Sequence, residues 1–253
     1  MLQIKNLTKK YPLPKKLFSK EKQSYKKALD NVSFEMENGL YGLLGPNGAG
    51  KSTLINIITG GLKQSSGAVL WNGVSTRKLD KQFRRILGFM PQQQNLYDSF
   101  TGKQFLNYMA ALKEIKSADV QAEIDRVASR VNLGKELDKK LGAYSGGMKQ
   151  RLLAAGAIMG SPKLLILDEP TAGLDPKERV RLRELMAEIA QESIVIIATH
   201  VVSDVESVAD KILLLKEGEL INMAAPQELI DQYAKGQGLE EVYLNIFGHE
   251  DML

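Results

Sequence analysis

The chain has 253 residues, 43% hydrophobic and 25% charged, with a formal net charge of +4 and no cysteine. That balance excludes an intrinsically disordered chain, and the missing cysteines exclude a disulfide framework and thiolate metal sites. The longest apolar stretches, such as Leu152 to Gly160, are about half the ~18 residues needed to cross a bilayer.

No membrane span is therefore expected, and no apolar signal core follows Met1. A reducing cytoplasm suits such a chain. Its charge is uneven: residues 1–30 hold nine Lys against two acids, a net of +7, which leaves −3 for the remainder.

In chain order, Leu2–Leu7 and Val32–Met36 alternate as strands do. The basic excess between them, residues 12–27, contains Pro12 and Pro14, which oppose a regular helix. This segment reads as a solvated hairpin tip. It also suits contact with anionic lipid headgroups, with Leu17 and Phe18 as anchors and ~1 kcal/mol from each nearby Lys. Nucleic acid is not expected, because the rest of the chain is mildly acidic.

Leu40–Leu44 is a short apolar run that stops at a glycine-rich turn, and Lys51–Thr59 follows as a helix. Ala68–Trp71 and Ile86–Met90 read as strands. From Gly102 to about Gly142 apolar residues recur at helical spacing, as Phe105, Leu106, Met109, Ala110, Leu112 and then Val120, Ile124, Val127, Val131. Then come a helix over Gly146–Met159, a strand over Leu164–Leu167, a helix over Lys177–Ala190 and a strand over Ile194–Ala198. A helix over Val201–Val208, strands over Ile212–Leu215 and Glu219–Asn222, and a helix over Pro226–Tyr233 complete the chain. Strands alternating with helices predict an α/β fold with a mainly parallel sheet and ligands at the strand C-termini.

Three segments carry chemistry. Gly45-Pro46-Asn47-Gly48-Ala49-Gly50-Lys51-Ser52-Thr53 lies between a predicted strand and a predicted helix. Its spacing is that of a phosphate loop: backbone N–H groups turn around phosphate oxygens, and Lys51 adds a point charge. Ser52 offers Mg²⁺ a hard oxygen. A glycine turn that binds nothing explains neither the lysine nor the hydroxyl. Second, Leu164–Leu167 ends in Asp168 and Glu169. Carboxylates are costly within a buried strand, so they belong at its tip, with Asp168 toward Mg²⁺ and Glu169 as general base for an attacking water. Third, His200 ends the next strand and emerges on the same sheet edge, within reach of a γ-phosphate, which makes it a candidate catalytic residue beside Glu169. The other histidine, His249, reads as structural or solvated.

The segment Tyr144-Ser145-Gly146-Gly147-Met148-Lys149-Gln150-Arg151 resembles the signature motif of ATP-binding-cassette (ABC) ATPases, commonly Leu-Ser-Gly-Gly-Gln. Other family elements fall in order. Gln92 matches the Q-loop glutamine, Asp175 in Ala172-Gly-Leu-Asp175 matches the D-loop, and Tyr11 matches the adenine-stacking aromatic, with Tyr25 as a competitor. The resemblance spans Leu2 to about Gly248. It implies a single P-loop ATPase domain of ABC type over 1–253: a RecA-like, mainly parallel core with an antiparallel β part over 1–101 and 143–222, a helical subdomain (about 102–142) and a C-terminal helix and tail (223–253).

The resemblance further implies a subunit that hydrolyses MgATP as a dimer with itself or a homologue. Ser145, Gly146, Gly147 and Met148 would complete the opposite ATP site, Asp175 would act across the interface, and Gln92 would touch Mg²⁺ or the attacking water. A separate membrane permease is implied, which puts the chain peripherally on the inner face of the membrane. Signatures with Met-Lys-Gln-Arg look like those of bacterial exporters of drugs, peptides and similar cargo. The helical insert and the loop around Gln92–Thr101 would dock the permease, although Leu96, Tyr97 and Phe100 also suit the local core. The alternative is a non-transport ABC ATPase acting on a macromolecular partner.

Overall fold

The computed structural model describes residues 1–13, 24–92 and 96–248. Leu17, Phe18 and His249 lie outside the described residues. Two compact units emerge: residues 1–37, 43–79 and 211–253 form the first, and residues 38–42 and 80–210 the second.

The first unit opens with β1 (Leu2–Pro12) and β2 (Tyr25–Met36), which pair antiparallel. β2 alternates over Val32–Met36, with Val32, Phe34 and Met36 buried, whereas β1 is buried at Leu2, Gln3 and Ile4 and again at Leu7 beyond a register shift. Both strands outrun their predicted lengths. Lys9 to Pro12 pairs with Tyr25 to Leu29 although most of these residues are exposed. There the ladder, not burial, holds the strand. The next strand, β3 (Gly39–Leu44), whose residues 39–42 count with the second unit and 43–44 with the first, is buried throughout and leads to α1 (Lys51–Ile58). Then β4 (Ser66–Trp71), β5 (Val74–Ser75) and the short α2 (Thr76–Leu79) follow. The sheet order is β2-β1-β4-β5, all antiparallel.

The second unit begins with α3 (Lys81–Ile86) and β6 (Leu87–Met90). The helical stretch contains α4 (Gly102–Leu112) and α5 (Val120–Arg130) and closes in turns and short 3₁₀ pieces. Thr101 caps α4 through a capping box with Gln104. Next come α6 (Gly146–Ile158), β7 (Leu164–Asp168), α7 (Pro176–Ala190) and β8 (Ile194–Thr199). β6, β7 and β8 are parallel, with Met90 opposite Leu167 and Asp168 opposite Ala198. β7 and β8 are buried end to end, the mark of a parallel sheet covered on both faces.

Back in the first unit, β9 (Lys211–Lys216) and β10 (Glu219–Ala224) form a hairpin. Its two-residue turn places Glu217 and Gly218 at positive φ. α8 (Pro226–Tyr233) and α9 (Leu239–Phe247) close the described chain. The expected combination of parallel strands, an antiparallel sheet and helices is therefore present. One expected element is not: Val201–Val208 forms only a 3₁₀ turn at Val202–Asp204, followed by turns. Asp204 is buried and accepts a hydrogen bond from the Thr171 hydroxyl, while Val201 N–H donates to Thr199 Oγ1 at 3.0 Å. Within the segment, bonds to the third residue back, Val205 N–H to Val202 O and Val208 N–H to Val205 O, interrupt the i−4 ladder of a regular helix.

Candidate active site

In the first unit β3 delivers the chain into Gly45–Gly50 and α1 takes it away. Gly48 and Gly50 stand at φ +84° and +108°, values that side chains resist and that let successive N–H groups turn inward. Ala49 N–H donates to Pro46 O at 3.2 Å. The hairpin tip braces the loop, since Gly218 N–H donates to Ala49 O at 2.9 Å. Lys51 is buried, and its ammonium donates to Gly45 O and, at 3.1 Å, to Pro46 O. Ser52 is exposed and Thr53 half-buried at the helix entrance. The first turn of α1 carries no acid, so its unpaired N–H groups and positive dipole suit an anion.

Tyr11 and Tyr25 lie on the hairpin arms, Tyr11 opposite Lys26 and Tyr25 opposite Pro12. Directly opposed residues share a sheet face and neighbours alternate, so the two rings present to opposite faces. The Lys9 ammonium lies 4.9 Å from the centroid of the Tyr11 ring, within cation–π reach.

In the second unit the parallel register brings the ends of β6, β7 and β8 to one edge. Gln92, two residues beyond β6, is exposed there. Asp168 and Glu169 are buried at the tip of β7. Glu169 has φ +51°, a left-handed conformation that is costly outside glycine. Backbone and side chain both hold it: its N–H donates to Ala198 O at 2.8 Å, and Gln150 Nε2 donates to its carbonyl at 2.9 Å. Thr199 Oγ1 donates to Glu169 Oε2 at 3.0 Å, and His200 N–H to Oε1 at 3.1 Å. His200 Nδ1 is 2.7 Å from Oε1, while the imidazole is 62% exposed. A buried carboxylate fixed by two strand-end residues, beside an exposed imidazole, is equipped to accept a proton from water.

The signature segment opens α6. Ser145 is the N-cap, its hydroxyl accepting from Met148 N–H at 3.2 Å. Ser145 and Gly146 are exposed, and Gly147 and Met148 are half-buried. Asp175 caps α7, accepting from Glu178 N–H at 2.9 Å.

Arg151 was missed as a structural residue by sequence reasoning. Its Nη1 donates to Val131 O at 3.2 Å and Asn132 O at 2.8 Å, and it lies 3.7 Å from Glu178 Oε2. It thus ties α6 to the end of α5 and the start of α7. Thr199 and Gln150 were also missed. A Thr beside the strand-end His was the available signal for the first, and nothing in the spacing pointed to the second.

A metal must find hard oxygens here. Among the described residues no group of three or more His, Cys, Asp or Glu could hold an ion. Each unit offers oxygens of the kind Mg²⁺ takes: Ser52 a hydroxyl in the first, Asp168 a carboxylate and Gln92 an amide in the second.

Comparison with known proteins agrees with this geometry. Residues 29–172 match the ABC transporter family. An uncharacterised ABC transporter ATP-binding protein of Bacillus subtilis, YxlF, is 37% identical over 92% of this chain and 73% of its own. ABC transporter A family member 7 of Arabidopsis thaliana is 35% identical over 90% of this chain, which spans only 24% of that protein. Among solved structures, a dimeric ATP-binding cassette in a post-hydrolysis state, bound to ADP and Pi, superposes with a TM-score of 0.77. It is 26% identical, covering 89% of this chain and 98% of that one. Phosphate loop, acid-tipped strand and these matches together make the chain a member of the ABC transporter family, an ATP-binding subunit that uses Mg²⁺ and hydrolyses ATP to ADP and phosphate.

Proposed function

We propose that residues 1–253 work as one cassette that pairs with a second copy or a homologue, closes on two MgATP and drives a separate membrane permease. The exposed start of α6 carries this reading. A Cβ built on Gly146 would meet no atom within 4 Å among the described residues, and Ser145 and Gly146 are exposed at a positive helix end. That end suits the γ-phosphate of an ATP held by the partner.

In this scheme Gly45 to Thr53 cradle the phosphates of one ATP, with Tyr11 or Tyr25 on adenine. Ser52, Asp168 and Gln92 would hold Mg²⁺, which offsets charge on the transferred phosphoryl group. Glu169 orients and deprotonates the attacking water, and Thr199 and His200 hold Glu169 in place. Ser145, Gly146, Gly147 and Met148 close the partner's site, while Asp175 fixes the start of α7 at the interface. Loss of the γ-phosphate removes the contacts that favour the closed dimer, so it opens.

No helix among the described residues is long and apolar enough to cross a membrane, so transport requires a permease. Tyr97, Tyr108 and Leu112 are exposed at 72%, 53% and 59% and form the docking surface with the stretch around Gln92. Leu96 and Phe100 are half-buried, and Phe100 stacks on Tyr97 at 5.3 Å, so they support that surface from beneath. Export is the direction favoured by the Tyr-Ser-Gly-Gly-Met-Lys-Gln-Arg signature. Lys10, Lys26 and Lys27 beside exposed Leu13 and Tyr25 support contact of the 12–27 hairpin with anionic headgroups at the inner membrane face.

Affinity purification of the tagged chain from detergent-solubilised membranes tests the assignment. A polytopic membrane protein should co-purify. Recovery of ribosomes or nucleic acid without one would replace the transporter reading with a non-transport ATPase.

A further inference from the structure

Tyr144 stands directly before Ser145, and its ring is buried. Its hydroxyl donates to Glu136 O at 2.8 Å. Burial and, next, the nearby Glu136 carboxylate push its pKa above the usual phenol value, so it stays a donor. Around it the segment 98–103 is laced to 137–142. Leu141 N–H donates to Phe100 O at 2.8 Å, Gly142 N–H to Asp98 O at 3.0 Å and Lys103 N–H to Leu137 O at 2.9 Å. Thr101 and Lys140 form an isolated bridge. The ring sits against this strap at the first residue of α4, where a Cβ on Gly102 would come within 2.3 Å of the Tyr144 hydroxyl. Gly102 has no positive φ, so what it supplies is space. A side chain there would force the phenol aside, and its Cβ would also stand 3.3 Å from Leu137 Cα and Cδ2.

We infer that Tyr144 is a positioning residue for Ser145, and that Gly102 is the matching vacancy that admits its hydroxyl. The pair fixes the entry to α6 against the strap of residues 98–103 at the start of α4. A displaced ring would carry the adjacent Ser145 cap and the following N–H groups with it. This rests on the reading that Ser145 meets nucleotide bound by the partner.

The test uses the full chain and four variants: Tyr144→Phe, Gly102→Val, Gly102→Val with Tyr144→Leu, and Ser145→Ala. Each is checked for folding by circular dichroism, for binding of a fluorescent ATP analogue by the monomer, and for ATPase activity. Tyr144→Phe should fold, bind the analogue normally and lose about five- to tenfold in kcat, the scale of one neutral hydrogen bond. Gly102→Val should lose more, and the double variant should recover the part of that loss that the phenol causes, the 3.3 Å approach to Leu137 remaining. Tyr144→Phe with unchanged kcat, or a double variant no better than Gly102→Val, overturns the assignment. If Ser145→Ala is impaired while Tyr144→Phe is not, only the role of Tyr144 falls. If Ser145→Ala turns over normally, the nucleotide role of Ser145 fails and the positioning role falls with it.

Discussion

His200 Nδ1 lies 2.7 Å from Glu169 Oε1, joining the tips of two adjacent parallel strands. The same oxygen accepts from His200 N–H, and the other carboxylate oxygen accepts from Thr199. The carboxylate is therefore aimed before any substrate arrives, which limits reorganisation during reaction.

Glu169→Gln keeps the shape and removes the base. Turnover should fall by ~10²–10⁴-fold, while MgATP binding persists. Steady-state ATPase assays beside equilibrium nucleotide binding measure this, and unchanged turnover would reject the assignment of the base.

Thr199→Val keeps the volume and deletes a buried donor. Glu169 Oε2 then loses its 3.0 Å partner, and Val201 N–H loses its acceptor. Stability should drop by about 1–3 kcal/mol, with kcat falling more than KM changes. Chemical denaturation and ATPase kinetics read the two effects. Preserved kcat with reduced stability would leave Thr199 a purely structural role.

These links show what the chain could and could not reveal beforehand. The phosphate loop and the acid-tipped strand were legible because each motif is local and its residue types follow directly from phosphate and metal chemistry. The Glu169–Thr199–His200 cluster was not, because it depends on the register that sets Asp168 opposite Ala198. Val201 to Val208 reads as helical, but Thr171, distant in the chain, fixes Asp204, and backbone bonds to the third residue back leave only turns. α9 was read as a tail: Gly236 and Gly238, both at positive φ, end one helix and admit another that packs Leu239, Val242 and Phe247.

Lys113 follows α4, and its ammonium donates to Leu87 O at the start of β6. Burial lowers its pKa from the ordinary lysine value of 10.5. Between the lowered folded value and 10.5 the unfolded chain binds more protons at this site, so stability rises with pH there. Relative to Lys113→Met, the wild type should gain stability as pH rises through the interval between the lowered folded value and 10.5. Urea melts at a series of pH values measure it, and a flat difference contradicts the burial of this charge.

Deleting residues 15–27 removes six lysines and one acid. Binding to vesicles containing phosphatidylserine at low salt should weaken, by about 1 kcal/mol for each lysine that reaches the surface, and the contribution should fade as salt rises. Sedimentation with vesicles measures it. Equal binding by the shortened chain would return the segment to a solvated hairpin.

The most direct test of the paired-cassette account uses the absence of native cysteine. With Asn47→Cys and Ser145→Cys introduced singly into separate Glu169→Gln chains, the two chains are mixed and treated with a short bis-maleimide. The account predicts a cross-linked dimer that forms with MgATP and not without nucleotide. Absence of that product, under conditions where both chains demonstrably bind MgATP and each cysteine is reactive, would contradict it.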